Sequence, residues 1–357
     1  MRHILISAAL LATMGAATSA HDGDAASDAD QPTRPELDIG GFIDLNYYAS
    51  DESRADSSSG FDEGQFVLHF VSVLSKRINF FGEVSLSGTD SEFKTELERA
   101  IVKFEASDYY RFSVGRFHTP INWWNTAFHH GQWLQTTVSR PEMTRFGGQF
   151  IPVHYVGAIV DGAIPSGAAG LRYAAGVGNG RGENIARGGD DGDVNNNRAT
   201  FLKVAAKPDR AYGLEVGASL YRDKITVSTL PEEYDEDLVS AYVVWNREDP
   251  EIIAEYATID RKGATTGTEF DHDAWYVQFA YRLPFWGSKL KPYARFEEID
   301  VDLADPVFTA QPNREGYLAG VRIDVSVFAA IKLEYRHQRT NQDPYVDSAY
   351  AQVAIAF

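Results

Sequence analysis

Arg99-Ala100-Ile101-Val102-Lys103-Phe104-Glu105-Ala106 decides the fold class. Ala100, Val102, Phe104 and Ala106 fall on one side of an extended chain, and Arg99, Lys103 and Glu105 on the other. A side-chain repeat of two is the strand repeat, whereas a helix brings like residues together at intervals of three and four. The alternation returns along the chain. Ile331, Leu333 and Tyr335 oppose Lys332, Glu334, Arg336 and Gln338, and Tyr317, Ala319, Val321 and Ile323 oppose Gly316, Gly320, Arg322 and Asp324. Trp275, Val277, Phe279 and Tyr281 oppose Tyr276, Gln278 and Arg282. The chain reads as all-β.

Alternation by itself does not separate a soluble sandwich from a membrane barrel, since each has one wet face. The connections do. Strands are expected near 37–48, 64–75, 78–87, 97–106, 109–116, 152–161, 171–178, 198–207, 212–221, 238–246, 251–259, 272–282, 290–300, 314–324, 330–338 and 348–357, about sixteen in all. Tight links at Lys76-Arg77, Ser107-Asp108, Lys207 to Ala211, Arg247 to Pro250, Leu283 to Lys289 and Val325 to Ala329 alternate with long polar stretches. Those stretches are 49–63, 117–150, 179–197, 222–237, 260–271, 301–313 and 339–347. Short turns on one rim and long loops on the other describe a transmembrane antiparallel up-and-down β-barrel, with the turns periplasmic and the loops extracellular. About sixteen strands enclose a water-filled lumen, where eight are filled by their own side chains.

Composition agrees. Among 357 residues, 21 Phe, 18 Tyr and 6 Trp can bury too much apolar area for a disordered chain. No Cys is present, which excludes disulfides and thiolate metal sites. A formal charge of -18 argues against a nucleic-acid partner. Met1-Arg2-His3, the apolar run Ile4 to Ala17 and the small residues Thr18-Ser19-Ala20 have the layout of a secretory signal peptide over 1–20. Residues 21–36, with Asp22, Asp24, Asp28 and Asp30, read as an acidic flexible linker, leaving 37–357 for the barrel.

The last residues, Tyr350 to Phe357, resemble the closing strand of Gram-negative outer-membrane proteins, in which a terminal aromatic is read by the barrel-assembly machinery. Phe357 is the assembly signal that this implies. Aromatic pairs at Tyr47-Tyr48, Phe80-Phe81, Tyr109-Tyr110 and Phe285-Trp286 suit an interfacial girdle.

Gly115-Arg116-Phe117-His118-Thr119-Pro120-Ile121-Asn122-Trp123-Trp124 leaves the fifth strand and opens the longest connection. Here the chain resembles the phosphate-selective porin (O/P type) family, whose Gly-basic/polar-aromatic-x-x-Pro element also follows a strand; the opening Gly41-Phe42-Ile43-Asp44-Leu45 and Phe357 fit the same picture. The resemblance implies an outer-membrane porin passing small polar or ionic solutes by passive diffusion. It further implies a third long loop folded into the lumen as a constriction, a homotrimer, and contact with outer-membrane lipid and lipopolysaccharide. Phosphate selectivity is not carried over, because the net charge has the wrong sign and no arginine ladder is legible.

Read from the residues, Arg99, Lys103, Lys203, Arg295, Arg322, Lys332 and Arg336 fall on lumen faces, interleaved with Glu105, Glu297, Asp324 and Glu334. Arg116, His118, Arg140 and Arg145 belong to the third loop, at 117–150, and its root. These are the expected pore-lining and constriction residues. Phe117, Trp123, Trp124, Phe128 and Trp133 are too many rings for a loop in water, and burying each is worth about 1.5–3 kcal/mol. Inward folding is expected; packing over the mouth or on a neighbouring subunit is the alternative. The other loops are acidic, with Asp51, Asp56, Asp62 and Glu63, then Asp190, Asp191 and Asp193, then Glu232, Glu233, Asp235, Glu236 and Asp237. An acidic vestibule concentrates cations while deeper basic rings favour anions. The loop carboxylates read either as a solvated surface or as sharing divalent cations with lipid phosphates. No cofactor is expected.

His118, His129 and His130 lie close together, but adjacent histidines on an extended segment point opposite ways. A metal site there needs a ligand from elsewhere, so no metal ligand is assigned. No Gly-x-Ser-x-Gly elbow, phosphate loop or His-Glu-x-x-His pair occurs, and no residue is assigned to catalysis. The competing function is an outer-membrane or secreted β-protein with a binding or structural role and no open pore.

Overall fold

The structure is a computed structural model that describes residues 35–52, 59–88, 92–309 and 311–357. The expected signal peptide and nearly all of the expected linker lie outside the described residues. The strands are β1 (Glu36–Ser50), β2 (Ser59–Asp62), β3 (Gln65–Ser75), β4 (Ile78–Gly88), β5 (Phe93–Ser107), β6 (Tyr110–His118), β7 (His154–Ala163), β8 (Leu171–Gly178) and β9 (Ala199–Ala206). They continue as β10 (Leu214–Ile225), β11 (Tyr234–Asn246), β12 (Glu251–Gly263), β13 (Glu269–Ala280), β14 (Leu290–Val301), β15 (Arg314–Ser326), β16 (Ala329–Thr340) and β17 (Val346–Ala356).

Each strand pairs antiparallel with its neighbours in sequence, and the sheet closes where β17 meets β1, from Phe42↔Ala356 to Ser50↔Ser348. Closure leaves no open edge for lipid to desolvate. Seventeen segments make sixteen barrel strands, because β2 and β3 both pair with β1 along one line, interrupted at Glu63 and Gly64. The Asp44 carboxylate fills that interruption, accepting from Gln65 N at 3.1 Å and Asn46 Nδ2 at 2.9 Å. Phe357 completes the seam. Its backbone exchanges hydrogen bonds with Gly41 at 2.9 and 3.0 Å, and its ring stacks on Phe66 at 5.7 Å. A Cβ on Gly41 would lie 2.6 Å from that ring, so only glycine admits the terminal aromatic there.

The two faces follow the sequence pattern. Val102, Phe104, Val277, Phe279, Tyr317, Leu333 and Tyr335 point outward and are exposed, as a lipid-facing belt requires. Tyr109, Tyr110, Phe285 and Trp286 stand exposed at the short-turn rim. Phe81 of the Phe80-Phe81 pair instead turns inward, with the Arg99 guanidinium 4.4 Å above its ring.

Several outer connections are shorter than expected. β10 runs to Ile225 and β11 begins at Tyr234, and β12 reaches Gly263 with β13 starting at Glu269. Beyond the membrane belt the outward positions are polar too, as in the Asp260↔Asp271 and Lys262↔Glu269 pairs, so no apolar period marks these strand ends. Glu236 falls within β11 and is fully buried rather than solvated, paired to Arg181 at 2.9 Å and to Arg261. Asp305 and His272 extend this buried ion network beneath the 302–313 connection.

Candidate functional site

The β6–β7 connection, the third on the long-loop rim, enters the barrel. Gly115 prepares the entrance: its φ is +140°, and a Cβ would sit 1.9 Å from the Ala100 carbonyl oxygen. Past His118 the chain turns at Asn122, whose φ of +43° suits an asparagine, and a single helical turn α1 (Trp124–Ala127) follows. Ile121, Trp124, Met143, Phe150 and Ile151 are buried against the inward residues Ile253, Ala257, Tyr276 and Ile299 of the wall. The inward-folded alternative for this loop is the one the structure adopts.

Wall charges hold the loop by its backbone. Glu255 accepts from Trp123 N at 2.6 Å and Trp124 N at 2.8 Å, capping α1 with a carboxylate where unpaired N–H groups and the helix dipole favour one. Glu334 accepts from Val138 N at 2.9 Å and Ser139 N at 3.1 Å, and Glu297 from Glu142 N at 3.0 Å. Cations take the carbonyls. Lys203 donates to Asn122 O at 2.8 Å, Arg295 to Ser139 O and Arg140 O at 2.9 and 3.0 Å, Arg322 to Trp133 O and Gln135 O at 2.6 and 2.9 Å, and Lys332 to Thr137 O at 2.9 Å. Arg336 binds the Glu142 carboxylate at 2.7 Å. A hydrogen bond to a charged group is worth about 1.5–3 kcal/mol, and losing one here strands a buried N–H or C=O.

The expected site residues therefore divide. Lys203, Arg295, Glu297, Arg322, Lys332, Glu334 and Arg336 face the interior and grip the loop. Lys103 and Glu105 face inward below it, towards the short-turn rim. Asp324 lies at that rim, bound to Arg322 at 2.8 Å. Arg99 pairs with the buried Glu83 at 2.5 Å. Arg116 donates to Glu98 O at 3.1 Å and pairs with Asp190. Arg140 is held within the loop, over the Phe146 ring at 3.7 Å and donating to His129 O at 3.2 Å, while Arg145 lies near Glu142. His118 is buried at the end of β6.

Glu251, Glu255, Glu98 and His154 were not singled out in the sequence. Glu251 and Glu255 were legible in principle, as carboxylates on the face opposite Ile252, Ala254 and Tyr256. Glu98 was not, because a bulge displaces the β4–β5 register between Glu83↔Arg99 and Val84↔Leu97. Two consecutive side chains, Glu98 and Arg99, consequently reach interior partners.

Cavities remain around the loop. One of about 490 Å³ opens toward the long-loop rim and is lined by Asp44, Asp62, Glu96 and Glu98 with Lys94 and Arg187. Beneath the loop lie cavities of about 380 and 780 Å³ that share Thr126, Lys203, Lys207 and Glu215. The smaller of these carries Arg99, Lys103, Arg172, Lys203 and Lys207 against Asp161 and Glu215. The interior is acidic outside the loop and basic within.

No family model matches the chain, and no curated protein does. Solved structures do. An in-vitro folded trimer form of OmpT, an outer membrane protein of Vibrio cholerae, superposes with a TM-score of 0.62 at 14% identity, covering 90% of this chain and 99% of that one. The outer membrane channel DcaP of Acinetobacter baumannii gives 0.63 at 9% identity, covering 90% and 97%. A mutant Rh. blastica porin gives 0.55 at 11% identity, covering 90% and 100%. The fold is that of the porin barrels. At these identities the likeness concerns the barrel and not the cargo.

Proposed function

We propose that this porin-like barrel passes small polar or ionic solutes by passive diffusion, through a route narrowed by the 119–153 loop. The observation that carries the reading is the clamped loop, held by wall charges inside the barrel with water-sized space above and below it. Selection would then rest on width and field, with no covalent chemistry and no cofactor. The O/P-type kinship rests on the Gly115–Pro120 element, and a homotrimer on the likeness to barrels of this kind. The assembly role of Phe357 is supported by its place at the seam.

Planar-bilayer recording on the purified, detergent-solubilised protein tests the proposal. Discrete conductance steps, enlarged when the loop is loosened by Glu334→Gln, are the expected result. Folded barrels that insert without any conductance would overturn it and leave the binding or structural reading. Unheated gel mobility, shifting on boiling from an oligomer to a single chain, tests the trimer.

A further inference from the structure

Where β5, β6 and β7 meet the root of the third loop, side chains from four segments converge. Glu98 comes from the β5 bulge, His118 from the end of β6, His129 and His130 from the loop, and His154 from the first residue of β7. All five are buried, and one ligand atom from each lies within 4.8 Å of the others. Glu98 Oε2 stands 3.1 Å from His130 Nε2 and 2.8 Å from His154 Nε2, and the His118 and His129 rings are 3.8 Å apart. These contacts are short but off-line. Glu98 Oε2, both His118 ring nitrogens and the Nε2 atoms of His129, His130 and His154 make no well-directed hydrogen bond. Buried polar atoms that face one another without bonding are costly unless something sits between them.

The outer partners fix the tautomers. His129 Nδ1 lies 2.7 Å from Asn125 Oδ1, and the Asn125 amide is oriented by its own Nδ2 donating to Thr119 O at 3.1 Å. His130 Nδ1 lies 2.9 Å from Gln65 Oε1. Arg140 Nη2 also approaches His129 Nδ1, at 3.4 Å, but the Asn125 oxygen is much the nearer partner. With these oxygens accepting, both rings carry their proton on Nδ1 and turn the Nε2 lone pair into the cluster, as metal-binding histidines do. His154 differs: its Nδ1 accepts from Arg116 Nη2 at 2.7 Å, and a guanidinium only donates. Its proton is on Nε2, facing Glu98. His154 therefore offers an ion no lone pair and stands outside the ligand set, 2.8 Å from the carboxylate.

We propose that Glu98, His118, His129 and His130 bind one divalent first-row transition-metal ion of the Zn²⁺ class. Three imidazoles and one carboxylate are a four-coordinate set that such ions accept, whereas Ca²⁺ and Mg²⁺ want oxygen throughout. Cations reach the site through the acidic 490 Å³ cavity, which Glu98, His129 and His130 also line. The ion ties β5 and β6 to the loop they border. The sequence hid the set because its carboxylate depends on a bulge and because His129 and His130, following α1, do not lie on an extended segment.

The test uses untagged full-length protein in detergent, stripped with EDTA and titrated with Zn²⁺ alone, then with Co²⁺. One tightly held Zn²⁺ per chain and the visible bands of four-coordinate Co²⁺ are expected. His129→Gln with His130→Gln should weaken binding at least 100-fold, and Asn125→Ala or Gln65→Ala, which touch no ion, about 10- to 100-fold. Wild-type protein of native gel mobility that retains no stoichiometric Zn²⁺ would overturn the proposal. So would binding unchanged in the His129/His130 variant, or displacement of Zn²⁺ by millimolar Ca²⁺. Should the double variant fail to fold, the Asn125 and Gln65 variants with the Co²⁺ spectrum decide.

Discussion

Gly115 shows how one residue aims a loop. Its φ of +140° and the Ala100 carbonyl 1.9 Å from where a Cβ would stand leave no room for a side chain. Gly115→Ala should cost about 1–3 kcal/mol, from strain of the size that unfavourable backbone conformations store, and should displace Phe117 and His118. Urea unfolding of the barrel from lipid vesicles checks the cost; an unchanged midpoint would count against it. The alternation makes a sharper claim on the neighbouring strand, where Ile101 pairs with Gly115. Val102 is exposed to lipid and Lys103 faces the interior. Val102→Arg should therefore lose about 2–4 kcal/mol if the position lies near the bilayer midplane, whereas Lys103→Gln on the interior face should cost clearly less. Equal losses at both would mean the faces are wrongly assigned. The faces were legible here because the period runs unbroken from Ala100 to Ala106. It failed two residues earlier, at Glu98, because a bulge has no hydrophobic signature.

At the scale of elements, the loop and its clamps are stated differently in the sequence. The loop announced itself through length and through Phe117, Trp123, Trp124, Phe128 and Trp133, which water would not tolerate. The clamps read only as lumen charges. Lys203, Arg295, Arg322, Lys332 and Arg336 bond loop atoms up to 200 positions away, and no local pattern encodes that. Nor did apolar periodicity reach the strand ends above the membrane belt, where Asp260 and Lys262 face outward in polar pairs. The clamps make the loop's position a sum of charge-assisted bonds, so cutting one should loosen rather than unfold. Glu255→Gln and Glu334→Gln each weaken two backbone contacts, by roughly 1.5–3 kcal/mol per variant. The expected outcome is a barrel of normal heat-modifiable mobility whose 119–153 segment is cleaved faster by added protease. Cleavage at the wild-type rate would show that apolar packing of Trp124 and Ile121, not the carboxylates, holds the loop.

The whole molecule sets two fields in series, an acidic outer cavity and a basic inner one. Neither can be inferred from the formal charge of -18, since much of that charge lies on outward strand ends, as at Asp235 and Asp237, or is neutralised inside, as at Glu236. What an ion passing beneath the loop would meet is the local balance of five cationic against two acidic side chains in the 380 Å³ cavity. Arg99 is a poor residue with which to probe that balance, because removing it takes the guanidinium partner from the buried Glu83 carboxylate and perturbs folding as well as field. Lys203 is equally unsuitable, since it holds Asn122 O. Lys103 and Arg172 line the same cavity without any role in the clamp. Lys103→Glu with Arg172→Glu changes the balance to three cationic against four acidic groups, reversing its sign. Under a KCl gradient the reversal potential should move toward that of potassium, by more at 0.1 M than at 1 M salt, because the Debye length falls from about 10 Å to about 3 Å. A reversal potential unmoved at low salt, in a variant that still conducts, would remove this cavity from the ion path.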